Sequence, residues 1–162
     1  MAPTPNTPVK HKPSLALVVI YRSNRESLAQ DLLPSVTGHF DEYVFCDTTP
    51  SDDNGEFKDD GSHWEVEKFL TKMQRKGHSV NHIRYRWHDD LAAAREFAFS
   101  YAKSDWRMYL DSDDTLLHGE VIKNLLGAIP PHIAGMFIKY DYAEDEQLPQ
   151  MRLARFAPSP GV

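Results

Sequence analysis

The sequence predicts an α/β protein with a mostly parallel sheet flanked by helices. Three observations carry that expectation. Apolar runs of strand length recur at residues 15–20, 43–46, 83–87 and 106–110. Segments of helical period separate them. The first run, Leu15-Ala16-Leu17-Val18-Val19-Ile20, is continuously aliphatic, as a strand covered on both faces must be, and such strands belong to parallel sheets. A length of 162 residues, 41% hydrophobic and 26% charged, suits one soluble domain.

Residues 1–13 hold Pro3, Pro5, Pro8 and Pro13 and no apolar stretch of signal or anchor type, so a flexible tail is expected before a single domain at 14–162. The strand at 15–20 is the first core strand. After it, Ser23 or Asn24 is placed to cap a helix that carries Leu28, Leu32 and Val36 on one side, with Pro34 near its end. Residues 43–46 form the second strand, closed by Asp47. From Asp47 to Ser62 the chain is polar and acidic, too long for a simple connector, and it leaves from the sheet edge that the later acidic turn shares. Val66, Phe69, Leu70 and Met73 then repeat at i, i+3, i+4 and i+7, giving a helix over 63–76 that Gly77 ends.

The third strand is expected at 83–87. Asp89 or Asp90 caps a helix from Leu91 to about Ala102 that bears Arg95, and the strand at 106–110 follows. A short helix at 121–126 precedes Pro130-Pro131. Two more strands, at 136–138 and 152–156, are separated by the acidic segment 141–146. The order is β-α-β-α-β-α-β with an added β tail.

The formal charge of −6 argues against a general nucleic-acid binder, which would carry a basic face. Cys46 is the single cysteine, so an intramolecular disulfide and a cysteine-ligated zinc site are both excluded, and Cys46 reads as a small core residue. No apolar run reaches the length of a membrane span, and a cytoplasmic protein is expected. The eight histidines show neither HExxH nor paired spacing and read as surface or core residues.

The strand at 106–110 ends abruptly in Asp111-Ser112-Asp113-Asp114. It leaves the sheet at the edge where open α/β folds place ligands. Carboxylates crowded there repel one another unless a cation neutralises them, and hard oxygen ligands favour Mg²⁺ or Mn²⁺. The same letters also suit a loop that merely ends a strand and caps a helix. An EF-hand is excluded, because its sixth and twelfth positions would be Leu116 and Ile122 instead of Gly and Glu. A haloacid-dehalogenase-type phosphatase is a rival, with Asp111 as nucleophile and Asp113 as acid/base. That family carries the motif on its first core strand and its lysine and second acidic pair well downstream, whereas here the motif is on the fourth strand.

The context resembles something else. Trp87-His88-Asp89-Asp90-Leu91-Ala92-Ala93-Ala94-Arg95-Glu96, followed by Trp106-Arg107-Met108-Tyr109-Leu110-Asp111-Ser112-Asp113-Asp114, resembles the family 2 glycosyltransferases of the GT-A fold, with a W-x-D-D-F-x-x-A-R-N helix before a strand ending in D-x-D-D/E. Asn24, Glu26, Asp47, Thr48 and Asp52 stand about where that pattern has its first two strand-end turns. Leu91 replaces Phe, Glu96 replaces Asn, and Tyr21 to Arg25 departs from the usual K-N-E turn. The resemblance runs from about Leu15 to Phe156. Family members usually continue into an acceptor region, so the chain is expected to be a fragment or to have a minimal acceptor half.

The resemblance implies a GT-A domain that transfers a sugar, with inversion, from a nucleoside-diphosphate sugar to an acceptor the sequence leaves unknown. It implies Mn²⁺ or Mg²⁺, with Asp113 the leading ligand, Asp111 near the ribose or the metal, and Asp114 an additional ligand or an acid behind the others. Donor contacts are expected from Tyr21, Asn24, Asp47, Thr48, Asp90, Arg95, Asp111 and Ser112. Inversion needs a general base for the acceptor hydroxyl. Asp141, Glu144 and Asp145 are the acids that follow the motif strand, with Asp141 and Asp145 the base candidates. A scaffold that keeps the fold without catalysis is the third alternative.

Overall fold

Near-continuous burial sets β1 (Leu15–Tyr21) in the middle of the sheet, with parallel neighbours on both sides. In the computed structural model of the chain, residues 12–51, 58–143 and 146–155 are described. The expected proline-rich tail therefore lies outside them except for Lys12 and Pro13, as do residues 52–57 in the middle of the acidic loop after Asp47. One six-stranded sheet has the order β3-β2-β1-β4-β6-β5. Its parallel part is β3 (Ser79–Arg84), β2 (Glu42–Asp47), β1 and β4 (Trp106–Asp111). The hairpin of β5 (Gly135–Ala143) and β6 (Glu146–Arg155) adds to it antiparallel, β6 lying against β4.

The two-residue period of the strands sorts side chains into two cores. Leu15, Leu17, Val19 and Tyr21 of β1, Tyr43 and Phe45 of β2, and Trp106, Met108 and Leu110 of β4 all enter one. Helix α3 (Ser62–Arg75) meets them with Val66, Phe69, Leu70 and Met73, and the helical segment 25–36 with Leu28, Leu32 and Val36. Each side chain fully buried there contributes roughly 1.5–3 kcal/mol. On the other face Ala16, Val18, Val44 and Cys46 pack on Ala98 and Ala102. Small residues on both sides let α4 (Leu91–Ser100) approach closely. Burial pushes the Cys46 thiol up to about 12, which fits an inert core cysteine.

Three local expectations are corrected. The helix after β1 comprises α1 (Arg25–Ser27), a π turn at Leu28–Leu32 and α2 (Leu33–Val36), so one hydrogen-bond register slips just before Pro34, which has no N–H to donate. Strand β3 lies four residues earlier than the aromatic run suggested. Gly77, at φ +90°, hands the chain from α3 straight into pairing, and β3 ends level with β2, Asp47 opposite Arg84. Tyr85 and Trp87, which looked like strand residues, lie past it, and Tyr85 packs on Phe97 at 5.2 Å. The acidic segment after Ile138 does not separate two strands but belongs largely to them, with Asp141 paired to Gln147. An outer strand tolerates polar residues because little of it is covered, as Phe137, 68% exposed, illustrates. Helix α5 (Gly119–Leu126) follows the acidic turn as expected. No helix among the described residues is long and apolar enough to cross a membrane.

Candidate active site

All four parallel strands end at one edge, and their last residues are Tyr21, Asp47, Arg84 and Asp111. The pleat then divides them. Asp111 is two residues beyond Tyr109 and, like it, points to the α4 side of β4, since Met108 and Leu110 fill the opposite core. Asp47 follows Phe45 by two and faces α3, together with Tyr21. One strand edge thus carries two polar groups, one on each face of the sheet.

On the α4 side, Asp111 is held by two arginines. Arg95 of α4 donates from Nη2 to Asp111 Oδ1 at 2.9 Å, and Arg152 of β6 donates from Nη1 to Asp111 Oδ2 at 3.1 Å. Both guanidinium groups lie 4.7 Å from the centroid of the Tyr109 ring, a cation–π arrangement that keeps them beside the carboxylate. The turn itself closes with Asp114 N–H on the Asp111 carbonyl at 3.1 Å. In return, the Asp111 N–H donates to Asp114 Oδ2 at 2.7 Å, and Arg152 reaches the same oxygen at 3.1 Å. Asp114 is accordingly buried, at 4% exposure. Asp113, between them, is exposed and has no hydrogen bond or ion pair among the described residues. Asn24, at the N-cap position of α1, makes no capping bond and instead donates from Nδ2 to Ser112 Oγ at 3.4 Å.

A cleft of about 390 Å³ opens beside this group, lined by Tyr21, Asn24, Thr48, Trp87, Asp111 and Ser112 among others. It runs from the end of β1 to the acidic turn. Thr48 is fixed on its rim, its N–H and its hydroxyl both donating to the Tyr21 carbonyl, at 2.9 and 3.0 Å.

On the α3 side, Asp47 is 1% exposed. Its Oδ1 accepts from the Thr49 N–H at 2.8 Å and its Oδ2 from Arg84 Nη2 at 2.9 Å. Burial works to raise its proton affinity, but Thr49 and Arg84 outweigh it and hold the carboxyl below its usual range. Burial, with Asp47 adding to it, raises the Tyr21 hydroxyl well above the ordinary tyrosine range, so Tyr21 stays neutral at 2.7 Å from His82 Nε2.

The structure therefore gathers Asn24, Arg95, Asp111 and Ser112 around the acidic turn, with Tyr21 and Thr48 across the cleft. Asp47 is one residue from that lining but on the other face. Asp90 caps α4, its Oδ1 accepting from the Ala93 N–H at 2.9 Å. Asp141 stands 52% exposed on the outer strand β5, 3.8 Å from Lys139, and does not line the cleft. Asp52, Glu144 and Asp145 lie outside the described residues. The phosphatase alternative expects its motif on the first core strand, whereas Asp111 ends β4, the fourth strand in chain order. Sequence reading missed Arg84, whose meeting with Asp47 depends on the β2–β3 register. From the sequence, Arg152 and Arg155 fit either a phosphate contact or the alternating charges of an edge strand, because nothing in the sequence shows β6 beside β4.

Comparison with known proteins follows the same outline. The model of the family described as "Glycosyl transferase family 2" matches residues 18–157, most of the chain. No curated protein matches it. Among solved structures, the chain is similar to the mannosyltransferase PcManGT from Pyrobaculum calidifontis in complex with GDP-Man and Mn²⁺, at 16% identity and a TM-score of 0.60 over 86% of this chain and 39% of that one. It is similar also to S. aureus TarS 1-349 in complex with UDP, at 20% identity and a TM-score of 0.60 over 85% of this chain and 38% of that one. At such identities the likeness is one of fold, and the chain spans about two fifths of these matched structures.

Proposed function

As the chain belongs to glycosyl transferase family 2 and carries its GT-A domain, we propose that it binds a nucleoside-diphosphate sugar in the cleft beside Asp111 and takes part in transferring that sugar to an acceptor. The observation that carries this reading is Asp111 clamped between Arg95 and Arg152, with Asp113 exposed and unpartnered among the described residues beside it. A diphosphate needs positive groups nearby: Arg22 lines the cleft, and Arg95 and Arg152 stand on Asp111 at its acidic end. The complexes with GDP-Man and Mn²⁺ and with UDP in the similar structures support the same class of ligand.

The oxygens present fit a divalent cation. Asp113 and the half-exposed Asp111 offer hard carboxylate ligands, while Asp114 is taken up by the Asp111 N–H and Arg152. Mg²⁺ or Mn²⁺ held by Asp113 and Asp111 would stabilise the charge that develops on a leaving diphosphate. The chain's own residues do the rest. Arg95, 33% exposed, turns from Asp111 towards the phosphates, while Arg152, buried against Asp111 and Asp114, holds the turn in place. Asn24 and Ser112, already bonded across the floor, orient the donor at the turn, and Thr48 and Trp87 form the walls of the cleft. Asp47, by fixing Thr49, positions the rim on which Thr48 stands. Asp141 has no part in this arrangement.

Calorimetry with UDP and with GDP, each with and without Mn²⁺, tests the reading. Nucleotide binding that tightens with Mn²⁺ and weakens about tenfold or more in Asp113→Ala, a loss of ~1.4 kcal/mol, is the expected result. Phosphate-monoester hydrolysis dependent on Asp111, or no nucleotide binding by the wild-type chain, overturns it in favour of the phosphatase or of the scaffold.

A further inference from the structure

On the α3 face of the sheet, apart from the acidic turn, a second group of ligand-type side chains comes together. His63 and Glu67 are one turn apart on α3, and His82 faces them from β3. Glu67 Oε1 lies 3.6 Å from His63 Nε2 and 3.8 Å from His82 Nδ1. One potential ligand atom from each of the three falls within 4.8 Å of the others, the one such group among the described residues. Two atoms bound to one tetrahedral zinc at its usual bond lengths sit roughly 3.3 Å apart, so both Glu67–histidine pairs are near that spacing and the two histidines close the rest.

The remaining nitrogen of each ring faces a side-chain oxygen. His82 Nε2 is 2.7 Å from the Tyr21 hydroxyl. His63 Nδ1 is buried, has no hydrogen bond among the described residues, and faces Asp47 Oδ2 at 3.5 Å. An outer ring nitrogen on a carboxylate or hydroxyl fixes the tautomer and turns the other nitrogen to the metal. We propose that His63, Glu67 and His82 form a Zn²⁺ site, with Tyr21 and Asp47 behind its two histidines.

Two imidazoles and one carboxylate suit zinc, whereas Mg²⁺ prefers an all-oxygen set. The two rings stack with centroids 4.5 Å apart and planes 29° apart, so closure on one ion requires a turn of a ring about χ2. His63 and Glu67, 30% and 47% exposed, have room to adjust. Glu67 and His82 also line a cavity of about 200 Å³, which leaves space for water as a fourth ligand. The site would pin α3 to the outer parallel strand. It shares no ligand with the acidic turn, and it stands whether or not that turn binds a donor.

The test uses the whole chain stripped with a chelator and titrated with ZnCl₂ in the presence of excess Mg²⁺. One equivalent of zinc is expected, with Tm rising about 5–10 °C at zinc 100-fold above Kd. Glu67→Gln and His82→Asn should each weaken zinc binding by about tenfold or more, and Co²⁺ in its place should give visible bands that Glu67→Gln loses. Asp113→Ala should leave zinc binding unchanged. Glu67 is exposed, so its variant keeps the fold, and circular dichroism checks both. Failure of the wild-type chain to take up zinc, uptake that survives both substitutions, or uptake lost in Asp113→Ala overturns the proposal.

Discussion

Asp111 and Asp114 stand three residues apart on one turn and meet different environments. Asp114 is buried because the Asp111 N–H and Arg152 reach its oxygen, whereas Asp111 is 42% exposed and bound on both oxygens. The two arginines differ in the same way, Arg152 being 4% exposed and Arg95 33%. Arg152→Ala should thus cost stability, about 3–5 kcal/mol for removing one member of a buried ion pair, read as a fall in the urea midpoint. Arg95→Ala should leave that midpoint nearly unchanged while weakening nucleotide binding in calorimetry. At Asp47 the sign of the pH effect is fixed by its lowered carboxyl. The stability it contributes is present above the unfolded value of about 3.9 and is lost as pH falls through the folded one. Asp47→Asn should flatten the dependence of the urea midpoint between neutral pH and pH 3. The turn and its strand-end place were legible in the sequence, since an apolar run stopping at three acids needs no fold to be noticed. Which acid turns inward was not, because a backbone N–H and a distant arginine decide it.

Among the elements, α4 separates capping from binding. Asp90 caps it, so Asp90→Ala should lower stability by about 1 kcal/mol, or about 2–4 °C in Tm, with nucleotide affinity unchanged; a large loss of affinity would return Asp90 to the donor site. Helix α3 was readable to within a residue at each end, because four apolar positions repeat along one side and Gly77 follows. Its polar side was not readable. His63 and Glu67 look like solvent residues until β3 supplies His82, and β3 itself was misplaced because Tyr85 and Trp87 have strand propensity without strand neighbours. The hairpin of β5 and β6 was underestimated for the opposite reason, its pairing being made by backbone groups under polar side chains.

Across the whole molecule, acids gather at both ends of the parallel strands, and their partners distinguish the two ends. At the far end from the cleft, Asp105 accepts from the Ser14 N–H and hydroxyl, both at 2.8 Å, and Asp41 from the Leu15 N–H at 2.9 Å. Glu42, 3% exposed, accepts through Oε2 from the N–H groups of Lys103 and Ser104 at 2.8 and 3.0 Å, and from the Ser104 hydroxyl at 2.9 Å. At the cleft end arginine side chains join the backbone donors, Arg84 on Asp47, Arg95 on Asp111, and Arg152 on Asp111 and Asp114. Backbone donors belong to the fold and do not leave, while side-chain donors can turn to a ligand, a distinction that composition alone hides. Glu42 has one more consequence. Lys103 and Ser104 lie in a connecting segment that ordinarily would open by itself, yet their amides are fastened to a carboxylate at the root of a central strand. In deuterated solvent those two protons should therefore persist as long as those of the strands, disappearing only when the entire domain unravels, and Glu42→Gln should let them go early.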